Sequence, residues 1–198
     1  MLFLSFLSKQ NNTTTKGFGL IELMVSISIM ALILGVVFTR QDSFNNTILL
    51  RSQAYEIALQ LREVQLNAVS ATGYNDGGSL DYYTLLGANF STSNPNNFFV
   101  FLDTNNNNRL DNGELRGEQG VLDSRFTITE IRTIESSSSN TVSTVSILFQ
   151  RPDFDAKFYN NSGVEQTNVI AVEIDVSENT TGITRTVEVT STGQISVQ

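Results

Sequence analysis

The feature that most constrains this chain is an apolar run near its N-terminus, "LIELMVSISIMALILGVVF", which occupies residues 20–38. At about 1.5 Å of rise per residue, a helix of this length spans roughly the 30 Å hydrocarbon core of a bilayer. One carboxylate, Glu22, stands near the start of the run, and placing a charge in hydrocarbon costs at least ~2.5 kcal/mol on insertion scales. The run therefore predicts a membrane span with a functional acid that needs a cationic partner. No Lys or Arg lies within the run itself.

The charges on either side of the run predict its orientation. Lys9 and Lys16 precede it and Asp42 follows it, so the positive-inside bias places the N-terminus in the cytoplasm and the chain after Arg40 outside. A secretory signal peptide would have a shorter apolar region and a small-residue cleavage site, and no A-x-A pattern follows Phe38. A plain anchor would leave Glu22 without a role.

The stretch "KGFGLIELMVSISIMALILG" resembles the N-terminal signature of type IV pilins and type II secretion pseudopilins. The resemblance implies that a prepilin peptidase cuts after Gly17 and methylates the new N-terminal residue, Phe18. Glu22 then stands at the family's conserved fifth mature position, where its carboxylate would pair with the Phe18 ammonium of a neighbouring subunit. Two departures are Gly19, where many relatives have threonine, and a leader that is longer and more apolar than usual.

The resemblance also implies a location and partners. It implies a single-pass inner-membrane protein with a cytoplasmic N-terminus and an extracytoplasmic head, later part of a pilus or pseudopilus. The implied partners are the prepilin peptidase, other pilin or pseudopilin subunits in a helical filament, the inner-membrane assembly platform and the membrane. The same N-terminus serves secretion, adhesion or motility, and DNA uptake, so the sequence leaves the machine open.

The predicted organisation has four parts. A cleaved leader covers residues 1–17, a transmembrane helix 18–39, its amphipathic continuation 40–73, and a β-rich head 74–198. The continuation is indicated by apolar residues that recur every three or four positions, with Gly73 as a C-terminal stop. These apolar residues are Leu50, Ala54, Ile57, Ala58, Leu61, Val64 and Ala68.

Strand-like segments follow from residue 74 onward, rich in β-branched and aromatic residues and separated by turn-forming clusters. They cover 81–86, 97–103, 125–134, 140–150, 156–160, 168–177, 184–191 and 194–198. The serine-rich stretch 135–141 predicts a hairpin loop. A helix followed by an antiparallel sheet is an α+β fold. The helix together with the closing hairpin resembles the pseudopilin H and minor-pilin group.

The segment "DTNNNNRLDNGE" has the oxygen-ligand spacing of a twelve-residue EF-hand calcium loop. The side-chain ligands would be Asp103, Asn105, Asn107, Asp111 and Glu114, with the backbone carbonyl of Arg109. Leu110 would be the apolar anchor. Asn108 replaces the usual glycine at the sixth place, but asparagine tolerates a left-handed backbone. The alternative is an asparagine-rich solvated turn without a metal.

Composition excludes several functions. The chain has no cysteine and no histidine, which removes disulfides, thiolate zinc sites and imidazole bases. Its net charge of -8 disfavours direct binding of nucleic acid. Asp153 with Asp155, or Glu173 with Asp175, formally offers a hydrolase acid pair, but no nucleophile motif accompanies them. The sequence thus predicts a structural pilus subunit, with a calcium-binding adhesive or DNA-uptake pilus-tip module as the alternative.

Overall fold

The computed structural model describes residues 17–70, 74–76, 79–81, 85–117, 119–150 and 152–198. The chain forms two compact units, Met1–Asp42 and Ser43–Gln198. The leader before residue 17 and the predicted helix stop at Gly73 lie outside the described residues.

Helix α1 covers Leu20–Val69. Within the first unit, the segment Leu20–Phe38 has a mean hydropathy of 2.5 and none of it is buried. Within the second unit, one face of α1 is fully buried, at Leu50, Ala54, Ile57, Leu61 and Val64. Ala58 and Ala68 are partly buried against the same core. The amphipathic pattern read from the sequence is therefore confirmed.

Twelve strands follow the helix in the described chain. Their bounds are β1 Tyr74–Asp76, β2 Ser79–Asp81, β3 Leu85–Ser91, β4 Asn97–Asp103, β5 Gly120–Val121, β6 Phe126–Glu135, β7 Ser139–Val142, β8 Thr144–Phe149, β9 Ala156–Tyr159, β10 Val169–Glu178, β11 Thr184–Thr190 and β12 Ile195–Val197. Every described strand pair is antiparallel. The head is therefore α+β, as the sequence predicts.

The strands form two five-stranded sheets and one small ribbon. Sheet I has the order β5-β4-β3-β8-β9, sheet II has the order β12-β11-β10-β6-β7, and β1 pairs with β2. One hydrophobic core joins the buried face of α1 to residues of both sheets, including Phe90, Ile147, Ile131 and Ile174. Phe90 and Phe98 stack in this core with ring centroids 5.1 Å apart.

Three polar side chains of α1 bind the β-structure along its length. Asn46 Nδ2 donates to Glu178 Oε1 at 3.3 Å. Gln53 Oε1 accepts from the backbone N–H of Asp123 at 3.0 Å. Gln65 Nε2 donates to two backbone carbonyls, those of Phe154 at 2.7 Å and Gly193 at 2.9 Å. These bonds fix the helix on the head in addition to its apolar packing.

Sequence reasoning placed most strands, but it missed β1 and β5 and made the hairpin loop 135–141 too long, since β6 ends at Glu135 and β7 begins at Ser139. It erred at two further points. The predicted strand 140–150 is two strands, β7 and β8, which belong to different sheets. The chain changes sheet at Ser143, whose carbonyl accepts the N–H of Thr92 at 2.9 Å. Strand-forming residues stand on both sides of Ser143, and propensity does not show which strand each of them pairs with.

The second error is the end of the first predicted head strand. The prediction stopped at Leu86, whereas β3 continues through Gly87 and Asn89 to Ser91. Glycine and asparagine disfavour strands, but tertiary contacts override that preference here. A Cβ at Gly87 would lie 2.8 Å from the carbonyl oxygen of Ile147, and Asn89 Nδ2 donates to Ser146 Oγ at 3.0 Å. The strand needs both residues to pair closely with β8.

Candidate functional site

The loop Asp103–Glu114 begins where β4 ends, so it follows a strand as expected. Its two ends are joined by backbone pairing: Leu102 N donates to Glu114 O at 2.8 Å, and Phe101 forms a bridge with Leu115. Leu110 packs on a small apolar cluster formed by Phe101, Leu148 and Tyr159. The predicted apolar anchor is thus confirmed.

Asp103 is fully buried and organises the first half of the loop. Its Oδ1 accepts the N–H of Asn107 at 3.1 Å, and its Oδ2 accepts the N–H of Asn108 at 2.8 Å. Asn108 has φ 61°, the left-handed conformation that its place in the motif requires, and Asn106 has φ 56°. Asparagine therefore takes the backbone role that glycine has in the usual motif.

Glu114 is 4% exposed and closes the second half of the loop. Its Oε1 accepts from the N–H and the hydroxyl of Thr104, at 2.9 and 3.0 Å. Its Oε2 accepts the N–H of Asp111 at 3.0 Å. Both buried carboxylates are therefore hydrogen-bonded, which satisfies the requirement for a polar group away from water.

Asn105 and Asn107 direct their amide groups at Asp111. Their Nδ2 atoms donate to Asp111 Oδ2 at 3.0 and 2.6 Å, and Arg109 Nε lies 3.3 Å from Asp111 Oδ1. These donors, first Asn107, then Asn105, and then Arg109, lower the pKa of Asp111. Burial, with the nearby Glu165 and Asp103 carboxylates, raises the pKa of Tyr159 to about 12.

The structure brings all six predicted ligand residues into one loop. Carboxylate, amide and carbonyl oxygens are the donors that Ca²⁺ takes, so the residue types fit a hard cation. In the described part of the chain, however, no three acidic residues form a group that could hold a metal ion. Backbone and side-chain N–H groups occupy the carboxylate oxygens instead. Calcium binding therefore stays a prediction.

At the N-terminal end of the described chain, Gly17, Phe18 and Gly19 precede the helix and are exposed. The carbonyl of Gly19 accepts from Glu22 N at 3.0 Å and from Leu23 N at 3.1 Å, which closes the first turn of α1. Phe18 is 78% exposed. The peptide bond between Gly17 and Phe18 therefore lies in an exposed segment before the helix.

Glu22 lies in the first turn of α1, where the helix dipole favours a negative charge. The other polar side chains of the span that the structure describes bond to backbone carbonyls of the helix: Ser26 Oγ donates to Glu22 O at 2.7 Å, and Ser28 Oγ donates to Met24 O at 2.8 Å. Among the described residues, no Lys or Arg side chain forms an ion pair with Glu22.

The N-terminal segment matches the family described as "Prokaryotic N-terminal methylation motif" over residues 13–38. This chain carries the prepilin-type motif of the type IV pilin and pseudopilin family. No curated protein and no solved structure shows a significant match to the chain. The motif match includes Gly17, Phe18, Glu22 and the apolar run, and the span fits a membrane-anchored pilin.

The acid pairs considered for hydrolysis are not arranged as a free pair in this pilin-like chain. Glu173 and Asp175 share the outer face of sheet II, and both bind Arg132: its Nη2 lies 2.7 Å from Glu173 Oε2, and its Nη1 bonds Asp175 Oδ2. Glu130 joins the same guanidinium at 2.9 Å. The carboxylates of Asp175, then Glu173, raise the pKa of Arg132. Asp153 and Asp155 are exposed.

Sequence reasoning missed the residues that hold the pilin-like head together through backbone contacts. Gly163 lies so close to the loop Asp103–Glu114 that an added Cβ would be 2.0 Å from Asn107 O. Gly193 has φ 78°, and a Cβ there would lie 1.9 Å from Phe154 O. Turn-forming clusters at 160–163 and 191–193 indicate both turns, but a single sequence does not show which backbone each turn contacts.

Proposed function

We propose that this chain is a minor pilin or pseudopilin, a structural subunit of a type IV pilus or a type II secretion pseudopilus. A prepilin peptidase cuts it after Gly17 and methylates Phe18, and the mature chain assembles through the apolar half of α1. The match to the methylation motif supports this proposal, and the exposed segment before Leu20 is compatible with cleavage.

The match to the methylation motif is the observation that carries the proposal, and assembly would depend on Glu22. Its carboxylate stands in an apolar span and pairs with no cation among the described residues. Cleavage creates an ammonium group on Phe18 that the precursor lacks. A charge pair between this ammonium and Glu22 of a neighbouring subunit would offset the cost of holding a lone carboxylate in a low-dielectric environment. Removing one partner of such a pair is costly, because the other charge remains uncompensated.

The proposed location is the inner membrane, crossed once, with a cytoplasmic N-terminus and an extracytoplasmic head. Lys9 and Lys16 before the span support this orientation through the positive-inside bias. The assembly platform in the same membrane is the partner that would receive the cleaved chain. The closing hairpin β11–β12 supports a place in the pseudopilin H and minor-pilin group.

A narrower proposal concerns the loop Asp103–Glu114, which we propose binds calcium and stiffens the cysteine-free head. The ligand spacing, the left-handed backbone at Asn108 and the packed Leu110 support it. Binding would replace the amide donors that now surround Asp111 with a cation.

The assembly role is tested by Glu22→Gln, which removes the charge and keeps the size of the side chain. The variant should be cleaved and inserted like the wild type, but its incorporation into filaments should be lost or strongly reduced. Ser28→Ala is the matched control, because it alters a polar residue of the same span whose bond is internal to the helix. Incorporation is read by labelling sheared filaments with an antibody to the head. Wild-type incorporation of Glu22→Gln would contradict the proposed role.

A further inference from the structure

The loop Asp103–Glu114 ends in a turn that carries an asparagine directly followed by a glycine, Asn112 and Gly113. Glu114 N donates to Asp111 O at 3.3 Å across this turn, and Gly113 has φ 94°. A turn with a left-handed third residue favours glycine, which adopts that backbone without strain. Asn112 and Gly113 are both exposed to solvent.

The backbone N–H groups that follow other asparagines of the loop are held by oxygen atoms. Asn107 N donates to Asp103 Oδ1 at 3.1 Å, and Asn108 N donates to Asp103 Oδ2 at 2.8 Å. By contrast, neither Gly113 N–H nor the amide of Asn112 forms a hydrogen bond with any residue that the structure describes. The two groups are therefore free to react with each other.

A free backbone nitrogen next to a free side-chain amide allows an intramolecular reaction, and asparagine is among the chemically labile residues. Gly113 N loses its proton and bonds to Asn112 Cγ, while the Cγ–Nδ2 bond breaks and ammonia leaves. Water then opens the resulting succinimide ring, either at Cγ to give aspartate or at the main-chain carbonyl carbon to give isoaspartate. An added Cβ at Gly113 would have no atom within 4 Å, so no neighbouring group crowds the attacking nitrogen.

We propose that Asn112 is a site of deamidation, which converts the loop Asp103–Glu114 to an aspartate or isoaspartate form as the folded protein ages. The reaction uses only water and the chain's own atoms, so the modification itself does not depend on the proposed function. Its effect on calcium rests on the proposal that this loop binds the ion.

Isoaspartate has the larger effect on the loop, because it routes the backbone through Cβ and lengthens the chain between Asp111 and Glu114. The buried carboxylate of Glu114 is held by Asp111 N at 3.0 Å and by Thr104 N at 2.9 Å. A longer backbone between Asp111 and Glu114 shifts this carboxylate relative to those donors. Glu114 is the predicted bidentate ligand, so the isoaspartate form should bind calcium more weakly.

The sequence allows a direct test by peptide mass. Trypsin cuts after Arg109 and Arg116, and the peptide 110–116 contains Asn112 as its only asparagine and has no glutamine. The full chain in detergent is kept at mildly alkaline pH and sampled over days. This peptide should gain about 1 Da as the amide becomes a carboxyl group, and fragmentation separates aspartate from isoaspartate. Asn112→Gln should abolish the gain, because glutamine would have to close a larger ring.

Asn161 is the matched control within the same chain. It is exposed like Asn112 and is followed by another small residue, Ser162, but Ser162 N donates to Asn160 Oδ1 at 2.9 Å. A parallel incubation in urea removes this bond. Asn112 should react in the folded chain within about threefold of its rate in urea, whereas folding should slow Asn161 by roughly tenfold.

Two results would overturn the inference. One is a peptide 110–116 that keeps its mass in the folded chain while it reacts in urea. The other is equal slowing of Asn112 and Asn161 by folding, which would show that the free N–H of Gly113 has no effect.

The melting temperature separates this inference from the proposal of calcium binding. Calcium should raise the melting temperature of the fresh chain and raise that of the isoaspartate form less. An equal rise in both forms would overturn the effect of isoaspartate on the loop. No rise in the fresh chain would count against calcium binding, whereas the mass gain at Asn112 decides the modification by itself.

Discussion

Gln65 is the buried polar residue through which α1 holds the end of the chain, and replacing it by methionine tests that attachment. Its side chain is fully buried, and its amide donates to the carbonyls of Phe154 and Gly193 at 2.7 and 2.9 Å. Its Oε1 accepts from Arg62 at 2.7 Å. Gln65→Met keeps the length of the side chain and removes every one of these bonds.

The magnitude follows from the groups that the change leaves behind. A buried polar group without a partner costs about 1–3 kcal/mol. The buried carbonyl of Gly193 and the partly buried carbonyl of Phe154 each lose a donor. The apolar side chain recovers part of this through burial, so the free energy of unfolding should fall by roughly 2–4 kcal/mol. For a unit of this size, the melting temperature should fall by roughly 5–15 °C.

The assay is urea and thermal unfolding of a fragment that starts at Ser43. The fragment contains the whole main core, because every residue of that cluster lies within Ser43–Gln198. Gln60→Met is the control, since the side chain of Gln60 forms no hydrogen bond with any described residue. Equal stability of Gln65→Met and Gln60→Met would refute the reasoning, because the buried amide would then contribute nothing beyond its volume.

Three further predictions concern the same fragment. Gly193→Ala should lower the free energy of unfolding by ~2 kcal/mol or more in a urea titration, because the added Cβ would lie 1.9 Å from Phe154 O. Gly182→Ala is the control: Gly182 has φ 70°, but an added Cβ would have no atom within 4 Å, so the cost should be only about 1 kcal/mol. Calcium at ten times the Kd of the loop Asp103–Glu114 should raise the free energy of unfolding by about 1.4 kcal/mol. The melting temperature should rise accordingly, and Asp103→Asn with Glu114→Gln should abolish the rise. An unchanged melting curve would refute calcium binding. Hydrogen bonds from Thr181 lower the pKa of Glu178 below its ordinary 4.5 in the folded state. The ionised Glu178 therefore stabilises the fold above pH 4.5, and this stabilisation is lost as the pH falls through the lower pKa of the folded state. Glu178→Gln should therefore make the free energy of unfolding, measured with urea, fall less steeply in acid.

The sequence predicted those parts of the fold whose signal is local. The period of Leu50, Ile57 and Leu61 shows one buried face of α1, and β4 has the predicted bounds, 97–103. It could not show that the strand-like run around Ser143 changes sheets, because the partner of a strand is a long-range property. Nor could it show that Leu59 and Leu66 lie on a face of α1 that the sheets leave exposed.

In the candidate sites too, contiguous motifs could be predicted from the sequence, whereas long-range contacts could not. The motif around Gly17 and Glu22 is contiguous, so a single sequence suffices to find it. The loop Asp103–Glu114 is contiguous too, and its left-handed Asn108 follows from the position of that residue in the motif. The support behind the loop comes from Gly163, which is distant in sequence and contacts Asn107 only in the folded head.

Cleavage of the precursor is the central claim, and the intact mass of the mature chain tests it most directly. The full chain is produced with an active prepilin peptidase and, as a control, with a catalytically inactive one. We predict a product that begins at Phe18 and carries one methyl group on its new N-terminus, formed only with the active peptidase. A chain that remains uncut with Gly17 intact, or that is cut after Phe38, would contradict it.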